Sequence, residues 1–556
     1  MADKGNPSKI EELKRSSNFL RGTIAQDMAD TSVPTVSEDS ANLLKTHGTY
    51  QQDDRDHRGD VKAFSFMVRS RVPGGKVTAA QFLAELDICD QFGNGTLRIT
   101  DRQGFQLHGV LKTSLKETIR GINAIKLSTL AACGDVCRNV MACPAPIKNN
   151  PVFAQMQQLA DDLAEHFRPR SNAYYEIWLK DDEENNELVH SQEPEHEPIY
   201  GATYLPRKFK IGIALPEDNC IDIYTQDMGY LAVVEQGKIV GYNLLVGGGM
   251  GMTPAKKTTF PALAKQMAFI TPDQVLTVGE AVVKVQRDFG NRTDRKQARL
   301  KYLIHEQGLP WFKAKVEEYY GASLPGPRDV DVTDVDDHIG WHEQGDGKLF
   351  LGINIENGRL KDEGPLQLKK MFRVLLGKYG METRLTALQG VILCDVDPKD
   401  RADIDRILTE HGCKRAEELT LARRYSISCP AYPTCGLAVT ESERVMPDIM
   451  DALEAEMAKH GLLSERISVH MTGCPNGCAR PYTPDIGLVG KARGKYTLYL
   501  GGNAQGTRLA FLYDDMVPQE DLPTRLSPLF AKFKTGRQTG ESFGDFCHRV
   551  GKDGLA

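Results

Sequence analysis

A ten-residue pattern occurs twice in this chain, and it limits the possible folds more than any other feature. Arg98-Ile-Thr-Asp-Arg-Gln-Gly-Phe-Gln-Leu107 returns as Arg384-Leu-Thr-Ala-Leu-Gln-Gly-Val-Ile-Leu393, with Arg, Thr, Gln, Gly and Leu at the same offsets. Ahead of each copy lies an apolar, strand-like run, Ala63 to Val72 and Lys348 to Ile355, and then a helix-like stretch, Ala79 to Phe92 and Pro365 to Tyr379. Each half therefore opens with a strand, helix, strand unit. A second echo follows: Asp227-Met-Gly229 leads into a strand ending at Val246-Gly-Gly-Gly249, and Asp485-Ile-Gly487 into one ending at Leu500-Gly-Gly-Asn503. The order of elements predicts an α+β protein of two pseudo-symmetric halves, each a small α+β unit followed by a larger α/β unit. Interfaces between such units favour cofactors, so the site is expected where the halves meet.

The expected division is an extended N-terminal segment over 1–60, small units over 61–148 and 338–415, and larger units over 152–326 and 420–556. Linkers are placed at Asn149 to Val152 and Gly326 to Asp337, where Pro, Gly and Asp cluster. The polar first segment, poor in hydrophobic periodicity, is expected to wrap the surface.

A length of 556 residues accommodates several domains, and 40% hydrophobic with 26% charged residues is ordinary for a soluble globular chain. A net charge of −6 provides no basic footprint for nucleic acid. No apolar run approaches the roughly 20 residues of a membrane span, and Met1 to Arg21 lacks the apolar stretch of a signal peptide, so no membrane partner and a cytoplasmic location are expected. Twelve cysteines are too sparse for a disulfide scaffold. Eight of them, Cys89, Cys133, Cys137, Cys143, Cys220, Cys394, Cys413 and Cys547, are scattered and read as small buried hydrophobes.

The other four are spaced differently. Five residues separate Cys429 from Cys435, and three separate Cys474 from Cys478. Pro475-Asn-Gly477 forces a loop whose backbone amides approach the sulfurs closely. A thiolate quartet suits zinc or an iron–sulfur cluster, and these gaps fit the close Cys-x-x-Cys pairs of structural zinc poorly. Four buried thiols with no metal remain the bland alternative.

Thr472-Gly-Cys-Pro-Asn-Gly-Cys-Ala-Arg-Pro481, preceded by Cys429-Pro-Ala-Tyr-Pro-Thr-Cys435, resembles the signature of the sirohaem-dependent sulfite and nitrite reductases. The resemblance extends over nearly the whole chain, through Ser17-Asn-Phe-Leu-Arg21, Tyr50-Gln-Gln-Asp-Asp-Arg55, Leu205-Pro-Arg-Lys-Phe-Lys210, Asn291-Arg-Thr-Asp-Arg-Lys296 and Ser542-Phe-Gly-Asp545. It implies that the small units are ferredoxin-like and that Cys429, Cys435, Cys474 and Cys478 hold a 4Fe-4S cluster. It also implies that Cys478 serves as the axial thiolate of a sirohaem, with Asn476 in the tight approach around that bridge. Arg98, Thr100, Arg102 and Gln106 match the segment that holds sirohaem carboxylates, and Arg295 and Lys296 are further candidates. Arg69, Arg138, Lys208 and Lys210 match the positions that surround the substrate anion. Read alone, each of these would be a solvated surface charge. His108 is expected to be a satisfied core histidine.

The reaction implied is the six-electron reduction of sulfite to sulfide for cysteine biosynthesis. Nitrite-reducing relatives carry Asn where this chain has Lys210, which favours sulfite over nitrite. Gly247-Gly-Gly-Met-Gly251 resembles a dinucleotide loop, but Thr253-Pro254 interrupts the helix that a pyrophosphate site needs, so electrons are expected from a partner. An NADPH-oxidising flavoprotein is favoured narrowly over ferredoxin. The reading from another class is a non-catalytic iron–sulfur carrier or a zinc-stabilised binding protein.

Overall fold

The computed structural model describes residues 6–170, 177–180, 186–190, 197–253 and 256–556. The two ten-residue copies form matching parts of two small sheets. In the first, the strands Thr49–Asp53, Phe64–Arg69, Phe105–Val110 and Leu97–Ile99 are neighbours in that order. In the second the order is Gly340–Glu343, Leu349–Ile353, Val391–Val396 and Thr383–Leu385. Each sheet takes its fifth strand from the other half. Arg359–Leu360 pairs antiparallel with Leu97–Ile99, while Lys76–Val77 pairs antiparallel with Thr383–Leu385.

This reciprocal exchange merges the small units into one hydrophobic core. The helices Ala79–Phe92 and Leu368–Tyr379 pack there, with Phe82 and Phe372 stacked at 4.9 Å. Thr78 and Gln81 close a reciprocal capping box on the first helix, which starts where the sequence places it. The second starts at Leu368 rather than Pro365, because Leu366–Gln367 pairs with Asp362–Glu363 first.

The larger units repeat one topology. Cys137–Ala142, Phe209–Ala214 and Met228–Glu235 run parallel, and Lys238–Val246 and Lys265–Ile270 follow antiparallel. The second half repeats this as Ser426–Ser428, Val469–Thr472, Ile486–Ala492, Lys495–Leu500 and Phe511–Pro518. The run from Asp227 to Val246 is thus a hairpin rather than one strand. Gln236 and Gly237 both take positive φ, 51° and 72°, which the tight turn requires.

The repeated glutamine joins each small unit to its larger one. Gln103 accepts from Ala142 N and donates to its carbonyl at 3.1 and 2.8 Å, and Gln389 does the same to Ser428 at 3.0 and 2.9 Å. In both halves the next residue is a cysteine, Cys143 or Cys429.

The N-terminal segment does more than wrap the surface. Thr49–Asp53 is a sheet strand, Leu20 and Leu43 enter the main core, and Glu11 and Lys14 are buried. Its few apolar residues are too widely spaced to show a period, yet Leu20, Val36, Leu43 and Leu44 are buried against larger elements. Asn149 to Val152 turns directly into the helix Pro151–His166, capped by the Asn150 side chain.

Candidate cofactor and substrate site

The four cysteines lie on two loops that leave adjacent parallel strands of the second large sheet, one after Ser428 and one after Thr472. Cys429 and Cys474 are buried, Cys435 is half-buried and Cys478 is exposed. Burial pushes the Cys474 thiol up to about 12, and the neighbouring Cys478 and Cys435 sulfurs add to the rise. Cys429 is raised by burial and then by the other three. All four sulfurs therefore sense one another, and a dense positive centre would relieve them. Among the described residues, the one group of ligand atoms lying within 4.8 Å of one another is elsewhere, so the quartet is more open than a single tetrahedral ion requires. That openness suits a cluster better than zinc.

Gly473 N donates to Cys429 Sγ at 3.4 Å and Asn476 Nδ2 to Cys474 Sγ at 3.5 Å. Gly477 has φ +62°, and a β-carbon there would sit 3.1 Å from Met250 Cβ, so the turn and the close approach both call for glycine. The Gly247-to-Gly251 loop braces this turn: Met252 N donates to the Pro475 carbonyl, and Lys301 Nζ donates to Gly249 and Gly251. Pro254 lies outside the described residues.

A residue missed in the sequence closes the other loop. Arg55 donates to the carbonyls of Pro433, Ala438 and Cys435 at 3.1, 2.8 and 2.6 Å, and its guanidinium lies 4.2 Å from the Tyr432 ring centre. The Tyr50-to-Arg55 motif marked this segment, but nothing local shows that Arg55 grips residues nearly 400 positions away.

The cations form two groups. Arg69 is held by Gln106 Oε1 at 2.7 Å and by Cys133 Sγ at 2.9 Å, and Gln106 in turn meets His108 at 2.6 Å. His108 Nδ1 faces Gln52 Oε1 at 2.9 Å, so the buried, neutral imidazole donates there and accepts from Gln106. It is a satisfied core histidine that fixes the Gln106–Arg69 pair. Arg138 donates to the Gly134 carbonyl. Arg98 is ion-paired with Glu443, although its Nε has no partner. Arg102 reaches Gln226 Oε1 and the Ile211 carbonyl, both at 2.8 Å, and Thr100 Oγ1 accepts from the amides of Arg102 and Gly104. Arg295 is bidentate to Asp135 at 2.7 and 3.0 Å, and Lys296 contributes its backbone amide to Asp294.

Lys208, Lys210 and Arg207 differ from these. They are half-buried on or beside the strand Phe209–Ala214, and among the described residues none of the three side chains makes a hydrogen bond or ion pair. Burial, then Arg207 and Arg138, drive the Lys208 ammonium well down, while burial and Arg102 bring Lys210 to about 8. The Cys478 sulfur acts in the opposite direction on Lys208, and Asp101 followed by Cys478 does so on Lys210. Unpaired cations in a protein of net charge −6 are a standing demand for anions.

A model of the nitrite and sulphite reductase 4Fe-4S domain matches residues 133–324 and 422–555. A model of the nitrite/sulfite reductase ferredoxin-like half domain matches 60–125 and 342–411. The chain belongs to the nitrite and sulphite reductase family. The two large units and the two fused small units are its paired modules. The chain is 44% identical, over 99% of its length and 90% of the relative's, to a Synechococcus elongatus protein named ferredoxin sulfite reductase. It is 44% identical, over 99% and 96%, to the NADPH sulfite reductase hemoprotein beta-component of Geobacillus thermodenitrificans. The fold matches the solved structure of Mycobacterium tuberculosis NirA with a TM-score of 0.80 at 24% identity, covering 99% of this chain and 98% of that one. A 4Fe-4S cluster and a sirohaem are the cofactors of this family, and the open thiol quartet and the unpaired cations fit them. Among the described residues, no helix is long and apolar enough to cross a membrane.

Proposed function

We propose that this chain reduces sulfite to sulfide in assimilation. The observation that carries the reading is the pair of half-buried lysines, Lys208 and Lys210, whose ammoniums make no hydrogen bond or ion pair among the described residues and are coupled electrostatically to the exposed Cys478 of the thiol quartet. Cys429, Cys435, Cys474 and Cys478 would hold the cluster, and Cys478 would also serve the sirohaem. Arg98, Thr100, Arg102, Gln106 and Asn476 shape and line the sirohaem seat. Arg69, Arg138, Lys208 and Lys210 clamp the anion.

When bound, the two cofactors would supply electrons one at a time and a reducible iron centre for the anion. The chain itself supplies charge and protons. At roughly 4 Å and an effective dielectric near 20, each cation attracts a unit negative charge by about 4 kcal/mol before desolvation. Several together select an oxyanion over a neutral molecule. The N–H groups of Lys208 and Lys210 also deliver protons to oxygens leaving as water. Because Arg69 is fixed through Gln106, His108 and Gln52, its guanidinium meets the anion without being reoriented.

The electron donor is a protein partner, an NADPH-oxidising flavoprotein or a ferredoxin. The test uses purified holoenzyme with reduced viologen, comparing specificity constants for sulfite and nitrite. A higher value for sulfite, with sulfide as product, supports the reading. A higher value for nitrite makes the chain a nitrite reductase.

A further inference from the structure

The pseudo-symmetry places a second group of sulfurs opposite the cluster loops. Gln103 clamps Ala142 ahead of Cys143 as Gln389 clamps Ser428 ahead of Cys429. Counting back from the matched Asp227-Met-Gly and Asp485-Ile-Gly sequences places Cys220 opposite Cys478, each seven residues ahead of its aspartate. The counterparts of Cys435 and Cys474 by the same counts are Asn149 and Pro216, so this half cannot hold a four-thiolate cluster. Other ligands complete the set. Asp218, from the same loop as Cys220, and His338, from the connection between the halves, converge on the two cysteines.

We propose that Cys143, Asp218, Cys220 and His338 form a structural zinc site that ties the connection between the halves to the first large unit. All four are buried, and their ligand atoms lie within 4.8 Å of one another. Cys143 Sγ is 3.5 Å from His338 Nε2 and 2.7 Å from Asp218 Oδ2, and His338 Nε2 is 3.1 Å from Asp218 Oδ2. In a tetrahedral zinc site with Zn–S about 2.3 Å and Zn–N or Zn–O about 2.0 Å, sulfur–nitrogen edges are about 3.5 Å and nitrogen–oxygen edges roughly 3.3 Å. The sulfur–nitrogen edge already matches, while Asp218 Oδ2 must draw back from Cys143 Sγ by roughly 0.8 Å, which a carboxylate rotation supplies.

The surroundings favour a cation. Asp218 is met by Cys143, His338 and the backbone amides of Cys220 and Asp336, and among the described residues no lysine or arginine is paired to it. The other imidazole nitrogen, Nδ1, faces Asp336 at 3.8 Å, the kind of outer carboxylate that orients a ligating histidine. His338 is held at φ 58°, and its carbonyl lies where a β-carbon on Gly352 would sit, so the backbone fixes the ring's entry. Two thiols, a carboxylate and an imidazole make a donor set that suits zinc, and losing both thiol protons on binding would leave the ion and its ligands with a single net negative charge.

The test measures metal in holoenzyme purified without chelators or a metal-affinity step, after incubation with zinc sulfate and reductant and then desalting. The expected result is about one zinc per chain in addition to the cluster and haem iron, with an X-ray absorption edge showing two sulfurs and two nitrogen or oxygen ligands. Cys220→Ser and His338→Asn should each lower zinc at least tenfold while iron content holds. If a variant fails to fold, the wild-type content and ligand shell still decide. Zinc below about 0.1 per chain in the wild type, a four-sulfur shell, or a Cys143–Cys220 disulfide found by non-reducing peptide mass analysis would each overturn the proposal.

Discussion

Replacing Arg55 with alanine removes one side chain from a polar N-terminal segment and should open the loop that carries Cys435. Arg55 makes three hydrogen bonds to loop carbonyls at 2.6 to 3.1 Å and lies over Tyr432. Hydrogen bonds from a charged donor contribute about 1.5–3 kcal/mol each, and the loop is wet enough, with Leu437 69% exposed, that the lower figure applies. Three such bonds and a cation–π contact give roughly 5 kcal/mol, against about 2 kcal/mol for ordering the arginine side chain. The net of about 3 kcal/mol is a factor of roughly 100 in the closed-to-open ratio of the loop. Cluster loss that proceeds through the open loop should accelerate by a similar factor, read as acid-labile sulfide remaining after timed exposure to a chelator in air. Arg55→Lys should recover little, since one ammonium cannot span three carbonyls. Equal cluster lifetimes in wild type and Arg55→Ala would refute the clamp.

Lys210→Asn should lower the sulfite specificity constant by roughly ten- to a hundredfold, the loss of one charge-assisted hydrogen bond, and the nitrite constant by less. Equal losses measured with reduced viologen would leave Lys210 a general electrostatic residue. If Cys478 serves both cofactors as proposed, Cys478→Ser should be the most damaging of the four cysteine changes; an unchanged haem spectrum and turnover would remove the bridging role. NADPH alone should not bleach the sirohaem band, and rapid bleaching without a flavoprotein would contradict the need for a partner. Glu85, fully buried with one hydrogen bond from Ser70, is pushed up to about 7 by burial from an ordinary 4.5. The native state keeps this proton after the unfolded chain has lost it, so stability falls as pH rises from about 4.5 to 7, by about 3 kcal/mol at most. Glu85→Gln should therefore raise Tm relative to wild type at pH 8 and lose that advantage near pH 5; a pH-independent difference in Tm would count against a neutral Glu85.

The two-half architecture and the spacing of the four cysteines were legible before folding, because both are written as local patterns. Arg98 to Leu107 and its copy set the repeat, and the spacing of Cys429, Cys435, Cys474 and Cys478 set the ligand group. The exchange of Lys76–Val77 for Arg359–Leu360 was hidden, since two-residue strands carry no periodicity. Which cations remain available was also decided only by tertiary structure. In sequence Arg98, Arg295, Lys208 and Lys210 look alike, yet Glu443 occupies Arg98 and Asp135 occupies Arg295, while among the described residues no carboxylate forms an ion pair with either lysine. Cys143 and Cys220 read as scattered buried thiols until folding brought Asp218 and His338 to them. A residue's charge and ligand chemistry are local properties, but the partner that consumes or completes them comes from anywhere in the chain, so only the folded structure separates a spent arginine from a lysine still awaiting an anion.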